Sequence, residues 1–200
     1  MNPTIRPLTA ADRREVARVL YEAFAADEPL WRALRLTPPQ QKTYWEVMTS
    51  MYLGMEQATV LGAFADGTMA GAAIGWADAQ SPSLPQQWLV AARYLRRLGL
   101  RRWLAFRDFF FTTTEHSHPS HPCLRLYVLG VDPAHHGNGL GRSLLAAFED
   151  NALERSLGVV QLECEEQNPA RLVYEACGYA TERTFSAIDI QWHIMTKEPA

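Results

Sequence analysis

Apolar residues recur along this chain with two periods, one near two and one near three and a half, and each marks its own kind of element. Thr4 to Leu8 alternates as a short strand. Thr9-Ala10-Ala11-Asp12 has the form of a helix start, with Thr9 as cap and an acid at the third position, and Val16, Leu20 and Phe24 follow at helical spacing. Ala25-Ala26-Asp27-Glu28-Pro29 ends that helix, and a second helical pattern through Tyr44, Val47, Met51 and Met55 runs from about Pro39 to Glu56. Ala58 to Ala65 and Thr68 to Asp78 read as strands joined by Asp66-Gly67, a pair that accepts the positive φ angles of a tight hairpin turn.

A connector with prolines, Ser81 to Pro85, leads into a largely helical, aromatic-rich region reaching about Phe111, with Trp88, Tyr94, Trp103, Phe106 and Phe109 to Phe111. These rings either pack a helix onto the sheet or wall an acceptor pocket. Cys123 to Val131 is an apolar strand, Leu140 to Leu157 a helix and Val159 to Glu165 a second strand, which together imply a parallel pair with a right-handed crossover. A short helix from about Pro169 to Ala176, stopped by Gly178, precedes two closing strands, Tyr179 to Phe185 and Ile188 to Thr196. The fold class that follows is α/β, with a mixed, mostly antiparallel sheet of six to seven strands flanked by helices.

Composition narrows the field. Two hundred residues, 48% hydrophobic and 20% charged, fit a single domain over residues 1–200. The formal charge of −3 comes without blocks of like charge, so neither a nucleic-acid tail nor a membrane-surface patch is expected. Met1 to Arg6 shows no basic-then-apolar leader, and no apolar run approaches membrane-spanning length. Cys123, Cys164 and Cys177 are odd in number and lack metal-ligand spacing, which reads as reduced thiols in a cytoplasmic protein. His116, His118 and His121 sit in a proline-interrupted loop that reads as a solvated connector, and no metal is expected.

The chemistry concentrates between Val131 and Arg142, where Gly137, Gly139 and Gly141 join the apolar strand to its helix. Glycine reaches left-handed backbone angles cheaply, so successive amides can turn toward one anion, and the helix adds its unpaired first-turn amides and the positive end of its dipole. A diphosphate suits such a nest. A plain strand-to-helix turn accounts for the same glycines equally well.

The sequence His136-Gly137-Asn138-Gly139-Leu140-Gly141 resembles the acetyl-CoA signature of the GCN5-related N-acetyltransferases: Gln or Arg, two residues, Gly, one residue, then Gly or Ala. Val131-Asp132-Pro133 precedes it as in that family, and the block from Asn168 to Tyr179 resembles the family's Asn, Ala, Tyr, Gly, aromatic pattern. Chain length, the helices around Ala23-Phe24-Ala25, the helical insertion before the signature strand and the closing strands look most like the puromycin N-acetyltransferase branch.

The resemblance implies acetyl-CoA as co-substrate, held by Leu129, Gly130, Val131, His136, Gly137, Asn138, Gly139, Leu140, Gly141, Arg142, Asn168 and Tyr174. It implies acetyl transfer to a primary amine of a small molecule by direct attack in a ternary complex. Val131 would serve through its main chain, and Tyr174, whose phenol stays protonated at neutral pH, would give a proton to the CoA thiolate. The base is sought among Glu163, Glu165 and Glu28; Glu163 and Glu165 share one face of their strand. Asp27 or Glu28 would meet a cationic acceptor, as would Glu163. Asn168 serves the pantetheine arm or caps the next helix, Arg142 lies within reach of a phosphate, and Arg171 lies near the outer cofactor groups. His136 departs from the family's Gln or Arg. An imidazole gains positive charge as pH falls, which predicts modestly tighter acetyl-CoA binding at lower pH and a flatter dependence in His136→Gln.

Other readings remain. A nucleotide-binding protein would need the Gly-Lys-Ser/Thr of a P-loop, which is missing. A non-catalytic acyl-CoA-binding or sensor module would keep the fold without turnover, and an acetyltransferase acting on a protein amine would keep both. The partners expected are thus a small-molecule amine, no nucleic acid and no membrane, with the chain a monomer or homodimer.

Overall fold

The structure, a computed structural model, describes residues 3–25, 31, 34–77, 92–104, 107, 122–187 and 189–199. Its strands are β1 (Thr4–Pro7), β2 (Ala58–Ala65), β3 (Thr68–Ala77), β4 (Cys123–Val131), β5 (Val159–Glu165), β6 (Ala180–Ala187) and β7 (Ile190–Lys197). The helices are α1 (Arg13–Phe24), α2 (Pro38–Tyr52), α3 (Leu140–Glu154) and α4 (Ala170–Ala176). One seven-stranded sheet runs in the order β1-β2-β3-β4-β5-β7-β6, and β4 with β5 is its parallel pair. The expected mixed, mostly antiparallel α/β fold is present.

Local chemistry starts each element. Asp12 Oδ2 accepts from the Thr9 amide at 2.8 Å, a capping box that launches α1 through a single 3-10 turn. Gln40 does the same for Thr37 ahead of α2, where Pro38 takes the first helical position at no cost in hydrogen bonds. Asp66 and Gly67 both hold positive φ, 50° and 79°, as a primed hairpin turn between β2 and β3 requires.

Several boundaries differ from the expected ones. α2 ends at Tyr52, yet Met55 is buried beyond it, so the apolar period outlasts the helix. Ser156 at φ 56° stops the helical path after α3, although Leu157 still packs on the core. The closing strands run later than expected, around a turn at Asp189 with φ 60°. In the aromatic region, residues 92–98 and 100–104 are helical. Tyr94 is buried with its ring centroid 5.7 Å from Tyr44, and Trp103 packs on the same core, so these two serve packing. Trp88, Phe106, Phe109 to Phe111 and the histidines 116, 118 and 121 lie outside the described residues.

The sheet separates two cores. α1 and α2 cover one face, where Val16, Leu20, Trp45 and Met48 meet Ile74 and Trp76. α3 covers the other, where Leu144, Leu145 and Phe148 meet Leu124, Leu126 and Leu162. Among the described residues no helix is long and apolar enough to cross a membrane.

Candidate active site

β4 and β5 pair only from Cys123↔Val159 to Leu126↔Leu162. Beyond that point β4 stays on β3 as far as Val131, while β5 stays on β7 as far as Glu165. The parallel pair therefore opens into a wedge at the C-terminal ends of its strands, where ligands of α/β sheets commonly bind.

A bulge in β4 shapes this opening. Ile74 pairs with Val128 but Gly75 with Leu126, leaving Tyr127 as the extra residue. Tyr127 and Val128 consequently both face the α1/α2 core, and Leu129 and Val131 face the α3 core. The Asp132 amide donates to the Ala70 carbonyl at 2.8 Å. Ladder alternation then turns the main-chain groups of Leu129 and Val131 away from β3 and toward the wedge.

The loop that follows holds Gly137 at φ 78° and Gly139, the cap residue of α3, at φ 76°. Apart from the adjoining residues, no heavy atom of the described residues lies within 4 Å of where a Cβ would stand at either position, so the concavity is open. Together with the first-turn amides of α3 it fits a diphosphate. Gly141 is the second residue of α3, so its amide is one of these first-turn amides, and ordinary side chains surround its Cβ position at 3.7–3.8 Å. Gly130 has a packing reason of its own, since a Cβ there would come within 2.9 Å of Ala23 on α1.

His136 turns its ring back onto β4, with Nε2 3.0 Å from the Val131 carbonyl oxygen. A carbonyl only accepts, so Nε2 carries the hydrogen. Asp132 braces the start of the loop: Oδ1 accepts from the Ala134 amide at 3.0 Å and Oδ2 from Arg18 at 3.2 Å, and these bonds hold its carboxyl below the usual range. Arg18 also reaches the Met69 carbonyl at 3.0 Å, tying α1 to the sheet. Sequence reasoning missed Arg18, which carries no local motif.

On the α3 side of the sheet, Tyr174 of α4 packs edge-on to Tyr179 with centroids 6.0 Å apart. Burial pushes its phenol well above the usual tyrosine range, with Cys164 and Cys177 adding to the shift. The hydroxyl makes no hydrogen bond among the described residues. Asn168 caps α4, its Oδ1 accepting from the Ala170 amide at 2.9 Å. Arg142 is exposed at the head of α3. Arg171 is committed to Glu175 at 2.6 Å, one turn along α4.

On the α1/α2 side, Arg125 donates to Glu163 Oε1 at 2.5 Å, with side chains only 4% and 9% exposed. Both residues lie where the wedge begins. Tyr127 sits above them at the bulge, its ring 4.7 Å from Trp76, and burial drives its phenol upward. The lone arginine in an otherwise apolar strand was a signal for a buried acidic partner that the sequence reading passed over. Glu163 is accordingly a paired, nearly buried carboxylate. Asp27 and Glu28 lie outside the described residues.

A model of the acetyltransferase (GNAT) family matches residues 18–179. A mycothiol acetyltransferase of Catenulispora acidiphila is 39% identical over 110 residues, which is 48% of this chain and 35% of that protein. Across the mycothiol acetyltransferases matched, the aligned part spans 18–35% of their length. Among solved structures, the polyamine N-acetyltransferase of Drosophila melanogaster superposes with a TM-score of 0.73 at 16% identity, covering 98% of this chain and 100% of that one. The PaiA N-acetyltransferase of Thermoplasma acidophilum, solved in complex with coenzyme A, gives 0.62 at 16% identity, covering 99% of each chain.

Proposed function

The chain belongs to the GNAT family of acetyltransferases, and from that premise we propose that it transfers an acetyl group from acetyl-CoA to a primary amine of a small molecule within a ternary complex. The observation that carries this reading is the wedge between β4 and β5, with a glycine nest at its mouth and ionisable side chains on both faces of the sheet. Acetyl-CoA supplies an acyl carbon already activated as a thioester. Gly137, Asn138, Gly139 and the first turn of α3 would hold its diphosphate, with Arg142 alongside.

The chain's own residues divide the remaining work. The Leu129 and Val131 main-chain groups line the wedge, and an amide there stabilises negative charge developing on a carbonyl oxygen. Tyr174, kept protonated by burial, stands ready on one face to give a proton to the departing thiolate. Glu163 on the other face attracts a cationic amine and takes its proton, while Arg125 fixes the carboxylate in place. Asp27 and Glu28 complete acceptor recognition.

The matched relatives guide the choice of acceptor. Mycothiol and polyamine acetyltransferases give the first candidates, amines related to mycothiol and the polyamines with agmatine; puromycin joins them on the sequence resemblance. A thiol-release assay over this panel, beside Tyr174→Phe, tests the reading. Release dependent on one amine and lost in the variant supports it. Tight CoA binding with no release for any amine would favour the non-catalytic module.

A further inference from the structure

On the α1/α2 side of the sheet, α1, α2 and helical residues 92–98 enclose a groove of about 710 Å³. Arg13, Arg14 and Arg18 line it from α1, Lys42 from α2, and Arg93, Arg96 and Arg97 from the third wall. Among the described residues that line the groove, two carboxylates, Glu22 and Glu46, accompany these seven cations, a formal excess of five positive charges. Three cations have partners: Arg18 holds Asp132, Arg97 approaches Glu46 at 3.7 Å, and Lys42 lies 4.8 Å above the Tyr21 ring. Arg13, Arg14, Arg93 and Arg96 are exposed and make no ion pair among the described residues.

We propose that this groove is a binding site for a small polyphosphate-bearing anion, separate from the glycine nest. Like charges crowded on three walls repel one another, and a compact multivalent anion relieves that repulsion at every wall together. The four cations without an ion pair among the described residues are all arginines, whose planar forks grip phosphate oxygens two at a time. The volume falls in the range of about 300–1,000 Å³ typical of small-molecule sites. The whole chain carries −3, so the groove's excess leaves a formal −8 on the rest. That field disfavours an extended nucleic acid or a broad acidic protein surface and admits a ligand confined to the groove. The two sites belong to opposite faces of the sheet: α1 and α2 cover one, and α3, which carries the glycine nest, covers the other.

Titration calorimetry with sodium tripolyphosphate tests the assignment in the wild type and in two double variants on different helices, R13Q/R14Q and R93Q/R96Q. Circular dichroism melts confirm that the variants fold, since all four side chains are exposed. The expected result is one-to-one binding that weakens with added salt, falls at least about tenfold in each variant, and survives excess CoA. Absence of binding overturns the proposal, as does wild-type affinity in both variants. Loss of the signal on adding CoA would put the anion in the glycine nest instead. Tighter binding of an RNA oligonucleotide or a glutamate-rich peptide than of tripolyphosphate would overturn the ligand class.

Discussion

Arg125 and Glu163 meet at 2.5 Å across β4 and β5, the first placed just before the last paired residues of those strands and the second just after. The ion pair thus marks the apex of the wedge. Breaking a buried pair from one side strands a charge and costs about 3–5 kcal/mol, whereas replacing both partners with apolar groups is often close to neutral. Arg125→Met and Glu163→Leu should each destabilise the fold by that order, and the double variant should recover at least half of the loss. Urea denaturation of all four proteins measures the coupling. Simple additivity of the two single losses would show that the pair is energetically idle.

Glu163→Gln keeps the volume and a hydrogen-bond acceptor for Arg125 but removes the base. If Glu163 takes the amine proton, kcat in the thiol-release assay should fall by about 10²–10⁴, with a smaller change in the affinity for CoA. A variant with wild-type kcat would remove Glu163 from the chemistry and leave it as a structural partner of Arg125.

Tyr174 must be protonated to act as an acid, so its contribution is present below its pKa and lost as pH rises through it. Burial raises that pKa above the ordinary 10, which moves the loss upward. Between about pH 7 and about pH 10, kcat should show no descending limb from this phenol. Tyr174→Phe should lower kcat by about 10² or more at every pH in that window while leaving the melting temperature nearly unchanged. A descending limb near neutrality that disappears in Tyr174→Phe would contradict the raised pKa.

Gly139 holds φ 76° with open space around its missing side chain, so an alanine there meets strain and no clash. The left-handed conformation costs a residue with a Cβ about 1–2 kcal/mol. Gly139→Ala should therefore weaken CoA binding about fivefold or more by calorimetry, with the helical content of α3 intact by circular dichroism. His136→Gln, which retains a donor for the Val131 carbonyl, should bind CoA more nearly as the wild type does. Equal affinity of Gly139→Ala and wild type would show that the nest does not set the binding.

Much of this arrangement was legible in the sequence because the signals were local. The runs Cys123–Val131 and Val159–Glu165 coincide with β4 and β5, and the Asp66-Gly67 turn and the Thr9 cap stand where their side-chain chemistry requires. Properties that depend on register were not legible. Arg125 finds Glu163 two residues beyond its paired position, Gln161, a diagonal that only the finished parallel ladder defines. The bulge at Tyr127 interrupts alternation inside an apolar run where every face looks alike. His136 is expected at the cofactor because it stands where the signature has Gln or Arg, and the bond of its ring to the Val131 carbonyl is a contact that no spacing announces. The basic groove gathers Arg13 and Arg14 with Arg93, Arg96 and Arg97 from far along the chain, so a search for consecutive charges could not see it.

Asp12 links the N-terminal strand to the helix that packs behind the wedge. Both of its oxygens are engaged, Oδ1 by Arg6 at 2.7 Å and Oδ2 by Arg6 at 3.2 Å and the Thr9 amide at 2.8 Å. Arg6 first, and the Thr9 amide next, pull its carboxyl from the ordinary 3.8 down to about 2. A carboxyl depressed on folding contributes stability that is complete above its unfolded pKa and is lost as pH falls through the folded value. Asp12→Ala should cost about 1 kcal/mol at neutral pH, the usual worth of such a cap. That difference should hold down to about pH 4 and shrink toward zero near about pH 2. Denaturant titrations of both proteins across that range measure it, and a gap that stays constant to the lowest pH would mean that the carboxylate's charge contributes nothing to the start of α1.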